Sequence, residues 1–457
     1  MSRLYCSACF KKDLLIDQLK QENARLRQQL RHQLRSQSEG VFGSSTPSSK
    51  KPFKKVSAPE NQHKRGGARK GHRGNGRKSF TQETADEIID VETPVHCPDC
   101  GTKLRKTGFR QRSVLDIEPV KIKTILYRLQ ERICPHCKKK VRAKAHGVLA
   151  HSFYSNKLIS YLATEHYLHR IPINHLAQRL GLSLGSVIGA FHRLANILQK
   201  VPENLMKEYR RAVVKHADET SWRNDGRNGY AWLFATHQIT LLFLRTTRSA
   251  LVVREVLGTK QLPGYLVVDR YAGYNKSPCR IQYCYAHLLR AVQDIITEFP
   301  NNQEVICFVS TVAPLLAEAM SLHSADISDN EYYRRAEKCK TAIIAAMNSV
   351  ALHPDIQQYQ NIFRINVHRL YHWADDRSVP ADNNSAERTL RTLVIARKVS
   401  YGSQSDEGAA TRSCLMSTLL TLEKRFYNDA FKKLAFTLDR FSLNPSRNVY
   451  KTLFQMA

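Results

Sequence analysis

The stretch from Ala212 to Asp269 constrains this chain more than any other, because its hydrophobic pattern changes period in a fixed order. Ala212-Val-Val-Lys-His-Ala-Asp218 reads as a strand ending in an acid. Gly229–Ala235 and Ile239–Leu244 follow as two more strands, with short turns suited to antiparallel pairing. A helical stretch at Ser249–Leu257 leads into Tyr265-Leu-Val-Val-Asp269, where Val267 and Val268 mark a buried strand, again ending in an acid. Two carboxylates at the ends of neighbouring core strands repel each other and are costly to bury, and a divalent cation removes that penalty.

A third acid lies in Asp382-Asn-Asn-Ser-Ala-Glu387-Arg388-Thr-Leu-Arg391. If Asn384 caps the helix, Glu387 sits at its third position and can face the two aspartates, while Ala386, Leu390, Leu393 and Val394 form the buried stripe. The same spacing also fits a capping-box-like pair with no chemical role, and Asp218 and Asp269 taken singly fit turn acids or helix caps. The strand order is the opening order of the ribonuclease-H-like fold, and it favours the joint reading.

The remaining chain is basic. Its 457 residues carry 71 Lys+Arg against 40 Asp+Glu, a formal charge of +31, which calls for a polyanionic partner such as nucleic acid. A hydrophobic fraction of 42% excludes wholesale disorder. No run approaches the roughly 18 uninterrupted apolar residues of a membrane span, and the N-terminus has no signal-type apolar core, so a soluble, cytoplasmic, nucleoid-associated protein with no membrane partner is expected. Residues 10–36 lack Pro and Gly; Ile16, Asn23 and Leu30 at a, with Leu19 and Leu26 at d, form a short coiled-coil seam. From 37 to 80 the composition turns to Ser, Gly, Pro, Lys and Arg, a flexible linker in which Lys64, Arg65, Arg69, Lys70, Arg73, Arg77 and Lys78 can contact DNA phosphates.

The 11 cysteines include two knuckles, Cys97-Pro-Asp-Cys100 and Cys134-Pro-His-Cys137, separated by 33 residues. Four thiolates in such pairs supply tetrahedral ligands for a structural Zn²⁺, and the alternating residues Val114–Ile133 could carry the chain out and back as strands. Cys6 and Cys9 form a third pair with no evident partner. Within the helical residues 156–199, Ile173–Ile188 has the outline of a helix-turn-helix. Leu176, Ala177 and Leu180 pack its first helix, Gly181 permits the turn, and Ser183 caps a second helix with Val187, Ile188, Phe191 and Leu194 inward. Ser186, His192 and Arg193 would then reach DNA.

These passages together resemble DDE transposases of bacterial insertion-sequence family sixty-six. The knuckles, HADETSW at 216–222, DRYAGYN at 269–275, YAHLLR at 285–290, DNNSAERTLR at 382–391 and the stretch from Arg397 to Gly408 occur in the family's order. Tyr285 stands where Trp is usual, and Arg270 and Leu288 also depart from the pattern. The resemblance implies a multidomain α/β protein. Its parts would be an N-terminal coiled-coil helix (1–36), a basic flexible linker (37–80), a β-rich zinc-binding module (90–146), a helix-turn-helix region (150–204), a ribonuclease-H-like catalytic domain (205–408) with a helical insertion near 300–375, and a helical tail (409–457). It implies that Asp218, Asp269 and Glu387 bind catalytic Mg²⁺ or Mn²⁺, with His287, Asn384 and Arg388 around them. The implied activity is cleavage of double-stranded DNA at transposon ends and strand transfer into target DNA. A homodimer or larger assembly on the ends, and small accessory proteins, go with it. A stand-alone nuclease or resolvase, and a zinc-containing DNA-binding regulator with structural acids, remain open as alternatives.

Overall fold

A computed structural model describes residues 139–454 without interruption, together with 120–133, 135–137 and scattered earlier positions. The basic linker residues Lys64, Arg65, Arg69, Lys70, Arg73, Arg77 and Lys78, and Cys6, Cys9, Cys97 and Cys134, lie outside the described residues. Of the N-terminal seam, Ile16, Leu19, Asn23 and Leu26 are helical, and Ile16, Leu19 and Leu26 are exposed.

The main sheet has five strands: β3 (Val214–Asn224), β4 (Arg227–Ala235), β5 (Thr240–Arg245), β6 (Tyr265–Val268) and β7 (Arg280–Tyr283), after the short pair β1 (Glu131–Ile133) and β2 (Lys140–Arg142). Their order across the sheet is β5-β4-β3-β6-β7. The first three pair antiparallel, and β6 and β7 run parallel to β3. The hairpin between β3 and β4 turns on Asp225 and Gly226, both at positive φ (49° and 70°), the geometry that Asp-Gly favours. That turn carries β3 beyond its expected end: Asp218 pairs with Leu233 in mid-strand, and pairing continues to Asn224. A strand ending at Asp218 was the sequence expectation; the register to β4 overrides it.

Helices cover both faces. α1 (Asn156–Tyr167), α2 (Ile173–Arg179), α3 (Leu184–Leu198) and α4 (Lys200–Arg211) precede the sheet, and α5 (Ala250–Leu257) links β5 to β6. After β7 come α6 (Tyr285–Glu298), α7 (Gln303–Leu322), α8 (Asp329–Asn348), α9 (Pro354–Ile365) and α10 (His372–Asp375), the helical insertion. The chain ends in α11 (Asn384–Ser400), α12 (Asp406–Arg425), α13 (Ala430–Leu443) and α14 (Val449–Phe454). Among the described residues α7 alone is long and apolar enough to cross a membrane. Its Val305, Phe308, Val309, Val312, Leu316, Ala319 and Leu322 are buried, and it packs on α6 and α8.

Two local findings differ from the hydrophobic pattern. Residues 120–130 form no strand; only Glu131–Ile133 pair, with β2, and the run before them makes single contacts only, Gln130 O accepting from Ala143 N (2.9 Å) and the Tyr127 hydroxyl donating to His146 O (3.0 Å). In α3, Val187, Phe191 and Leu194 face inward as expected, whereas Ile188 is 37% exposed, one position off the buried stripe. Gly181 takes φ 64° at the turn, and Ser183 precedes α3 without a side-chain capping bond.

The edge of the sheet is closed by a helix. Ser413, Ser417 and Thr421 stand at successive four-residue steps on α12, and their hydroxyls accept from Leu244 N (3.3 Å), Leu242 N (2.8 Å) and Thr240 N (3.0 Å) of β5. Polar groups of the edge strand that would otherwise invite another chain are thereby satisfied.

Candidate active site

The register of the parallel strands brings two acids to one level. His216 pairs with Val267, so Asp218 and Asp269 each lie two residues further on, where β6 ends. Strand alternation places His216 and Asp218 on one face and Ala217 and Glu219 on the other.

α11 brings the third acid to the Asp218 face through two anchors. At its start, Asn383 is buried; its Nδ2 donates to Ala217 O (2.9 Å), its Oδ1 meets His216 Nδ1 (2.8 Å), and its backbone N–H donates to Cys284 Sγ (3.1 Å). Burial pushes His216 down to about 4, so the ring is neutral and its Nδ1–H donates to that amide oxygen. At the other end Arg397 donates to Thr220 Oγ1 and Ser221 O of β3. Asn383, not Asn384, is therefore the cap position, and Glu387 is the fourth helical residue rather than the third. Asn384 turns instead to Asp382, with bonds of 3.0 and 2.7 Å. The capping-box reading fails on this geometry, since Asn383's side chain is spent on β3.

The carboxyl groups perturb one another. Burial, then repulsion from Glu219, Asp269 and Glu387, holds Asp218 well above the ordinary carboxyl range; its Oδ1 accepts from Glu219 N (2.8 Å), while Oδ2 is buried with no hydrogen-bond partner. Glu387 is also raised, first by burial and then by Asp382 and Asp269, against the opposing pull of Arg290 and Arg391. Its Oε1 is likewise buried without a hydrogen bond. Two unsatisfied buried carboxylate oxygens, on groups that repel when ionised, fit a hard divalent cation.

Glu219, which sequence reasoning passed over, lies beneath the site. It is fully buried, receives Arg248 Nε at 2.8 Å and the Tyr274 hydroxyl, and is pushed up to about 7 mainly by burial and Asp269. Arg248 lies 4.0 Å from the Tyr271 ring centroid, and Tyr271 N donates to Asp269 Oδ1 (2.9 Å). The loop carrying Asp269 is thus tied to the strand carrying Asp218. The signal available in the sequence was only Glu219's place next to an acid, on the opposite face.

Of the other nominated residues, His287 Nδ1 lies 3.8 Å from Glu387 Oε1, and Arg388 is exposed one residue after Glu387. Ser186 is exposed on α3; His192 is half-buried against Thr411 Oγ1 (2.7 Å), and Arg193 donates to His151 O (3.1 Å). A cavity of about 670 Å³ at the far end of β3–β5 is lined by Trp222, Arg245 and Asp406 and by none of the three acids.

The described parts of the two knuckles share a local form. His96 pairs antiparallel with Lys103, and Ile133 with Lys140. Each pairing joins the residue before the first cysteine to the third residue after the second, so each knuckle sits in the same bracket. Cys100 and Cys137 are exposed.

Residues 151–411 match the family described as Transposase IS66 family, and residues 94–138 match the zinc-finger binding domain of transposase IS66. The chain is also 24% identical over 193 residues to the uncharacterized protein y4jD of Sinorhizobium fredii. That similarity covers 39% of this chain and 37% of the relative.

Proposed function

The chain belongs to the IS66 family of transposases, with a zinc-finger domain of the kind that holds a structural Zn²⁺, and from that premise we propose that it cuts the ends of an insertion sequence and joins them to target DNA. Asp218, Asp269 and Glu387 are the acids that would hold Mg²⁺ or Mn²⁺. Such ions, when bound, activate an oxygen nucleophile and stabilise the leaving oxygen at phosphorus. The chain's own contribution is to fix three acids that repel each other: β3 and β6 set Asp218 and Asp269 at one level, and Asn383 and Arg397 seat α11 above them. Arg290 and Arg391, exposed beside Glu387, supply positive potential for the DNA backbone. The reaction is hydrolysis that frees a 3′-hydroxyl at the element's end, followed by attack of that hydroxyl on target DNA, with no covalent enzyme–DNA intermediate.

The strand order supports a ribonuclease-H-like fold for this domain. α2 and α3, joined through Gly181 with Ser186 exposed, support end recognition by a helix-turn-helix. Exposed Ile16, Leu19 and Leu26 support a second copy as the partner of the N-terminal helix. Cys97, Cys100, Cys134 and Cys137 are the zinc ligands of this reading, the basic linker holds DNA phosphates, and small accessory proteins assist assembly in the bacterial cytoplasm beside the nucleoid.

The observation that carries the proposal is the pair of buried, unbonded oxygens, Asp218 Oδ2 and Glu387 Oε1, on two acids that the charge of Asp269 raises. The test is cleavage of a labelled duplex bearing the element's end, with and without Mg²⁺, by the wild type and Asp269→Ala. Mg²⁺-dependent release of a 3′-hydroxyl, lost in the variant while DNA binding persists, is expected. Equal nicking by both proteins would sink the triad.

A further inference from the structure

We propose that Cys284, His287 and Glu387 form a second cation site, suited to a soft divalent ion such as Zn²⁺, which shares Glu387 with the acid cluster and so sets zinc against magnesium. This rests on the reading of Glu387 as a Mg²⁺ ligand only for its inhibitory consequence; the site itself stands on its own geometry.

One ligand atom from each of the three side chains lies within 4.8 Å of the other two, and His287 Nδ1 is 3.8 Å from Glu387 Oε1. Zinc bonds of about 2.0–2.3 Å give tetrahedral edges of roughly 3.3–3.8 Å, so small side-chain adjustments close the site. The topology explains the meeting. Cys284 follows β7 and precedes α6, His287 lies in that helix's first turn, and Glu387 lies in the first turn of α11. The two helix starts are held together by Tyr285 N donating to Ala381 O (2.8 Å) and Asn383 N donating to Cys284 Sγ.

The donor set differs from the acid cluster in kind. A thiolate and an imidazole select zinc over magnesium, which demands hard oxygens. The sulfur already receives backbone N–H groups from Asn383 and His287, the outer contacts that support a metal-bound thiolate. Three protein ligands leave one position open. Cys284 is buried, while His287 and Glu387 are 17% and 16% exposed, so the ion enters from their side. Binding converts the Cys284 thiol to a zinc thiolate and releases its proton to solvent. A Glu387 oxygen committed to zinc is withdrawn from the acid cluster.

The test uses the full chain with its zinc-finger metal retained, dialysed against buffered free Zn²⁺ and assayed for bound zinc by elemental analysis. One equivalent beyond the zinc-finger ion is expected, lost in both Cys284→Ser and His287→Gln and kept in Asp218→Asn. In cleavage assays at fixed Mg²⁺, each protein measured against its own zinc-free rate, Cys284→Ser should need at least about tenfold more zinc for half-inhibition. An extra equivalent that survives Cys284→Ser but disappears in Asp218→Asn would put the zinc in the acid cluster and overturn the proposal. So would no extra equivalent at free zinc up to about 1 μM. The bound-zinc measurement needs no cleavage, so it succeeds or fails separately from the triad. If Cys284→Ser fails to fold, His287→Gln carries the same comparison.

Discussion

Asn383 and Asn384 are neighbours with identical side chains and different tasks. Asn383 is buried with both amide atoms spent on β3, whereas Asn384 bonds to half-buried Asp382 next to the helix start. Asn383→Ala removes the partner of His216 Nδ1 and a donor to the Ala217 carbonyl and should cost about 2–3 kcal/mol in denaturant unfolding, against under about 1 kcal/mol for Asn384→Ala. The sequence could not assign these roles, because a one-residue shift in where a helix starts leaves the Asn-Asn pattern unchanged. The acids themselves were legible: Val267 and Val268 fix the strand before Asp269, and the alternating run around Asp218 does the same for its partner. Their electrostatics give a second test. Asp218, Glu219 and Glu387 are all raised, so each favours the fold while protonated and loses that contribution as pH rises through its shifted value, near 7 for Glu219. Mg²⁺ should therefore raise the melting temperature more at about pH 8 than at about pH 5.5, and the difference should shrink in Asp218→Asn.

At the scale of elements, α12 carries two faces with different tasks. Leu415, Leu419 and Leu422 are buried as expected of a packed helix. Ser413, Ser417 and Thr421 are polar, and they bond the edge of β5. Periodicity reports which residues share a face, not whether that face meets water or backbone. Ser417→Ala leaves Leu242 N buried and unbonded and should cost about 1–3 kcal/mol, measured by thermal or urea unfolding. Replacing all three hydroxyls should additionally make the protein prone to association through β5, visible as concentration-dependent light scattering. The length of β3 was hidden for a related reason: Asp225-Gly226 fixes the hairpin, and pairing with β4 sustains the strand past Asp218.

At the scale of the whole molecule, charge is the dominant fact. If the seven basic residues between Lys64 and Lys78 each neutralise a phosphate, replacing them all by alanine should reduce the slope of log affinity against log salt by about 6. A smaller change would assign the counterion release to the folded parts. Stripping the zinc-finger ion should abolish ordered end binding while leaving the melting of the five-stranded domain in place, as followed by circular dichroism. The seal on the sheet's edge has a limit of its own. Four residues of helix advance about 6 Å and two residues of strand about 6.8 Å, so the α12 hydroxyls and the β5 amides form a vernier that slips by roughly 0.8 Å per rung. The middle rung is the shortest at 2.8 Å and the flanking ones are 3.0 and 3.3 Å. A fourth rung would fall out of step, which limits how long an outer strand this kind of seal can close.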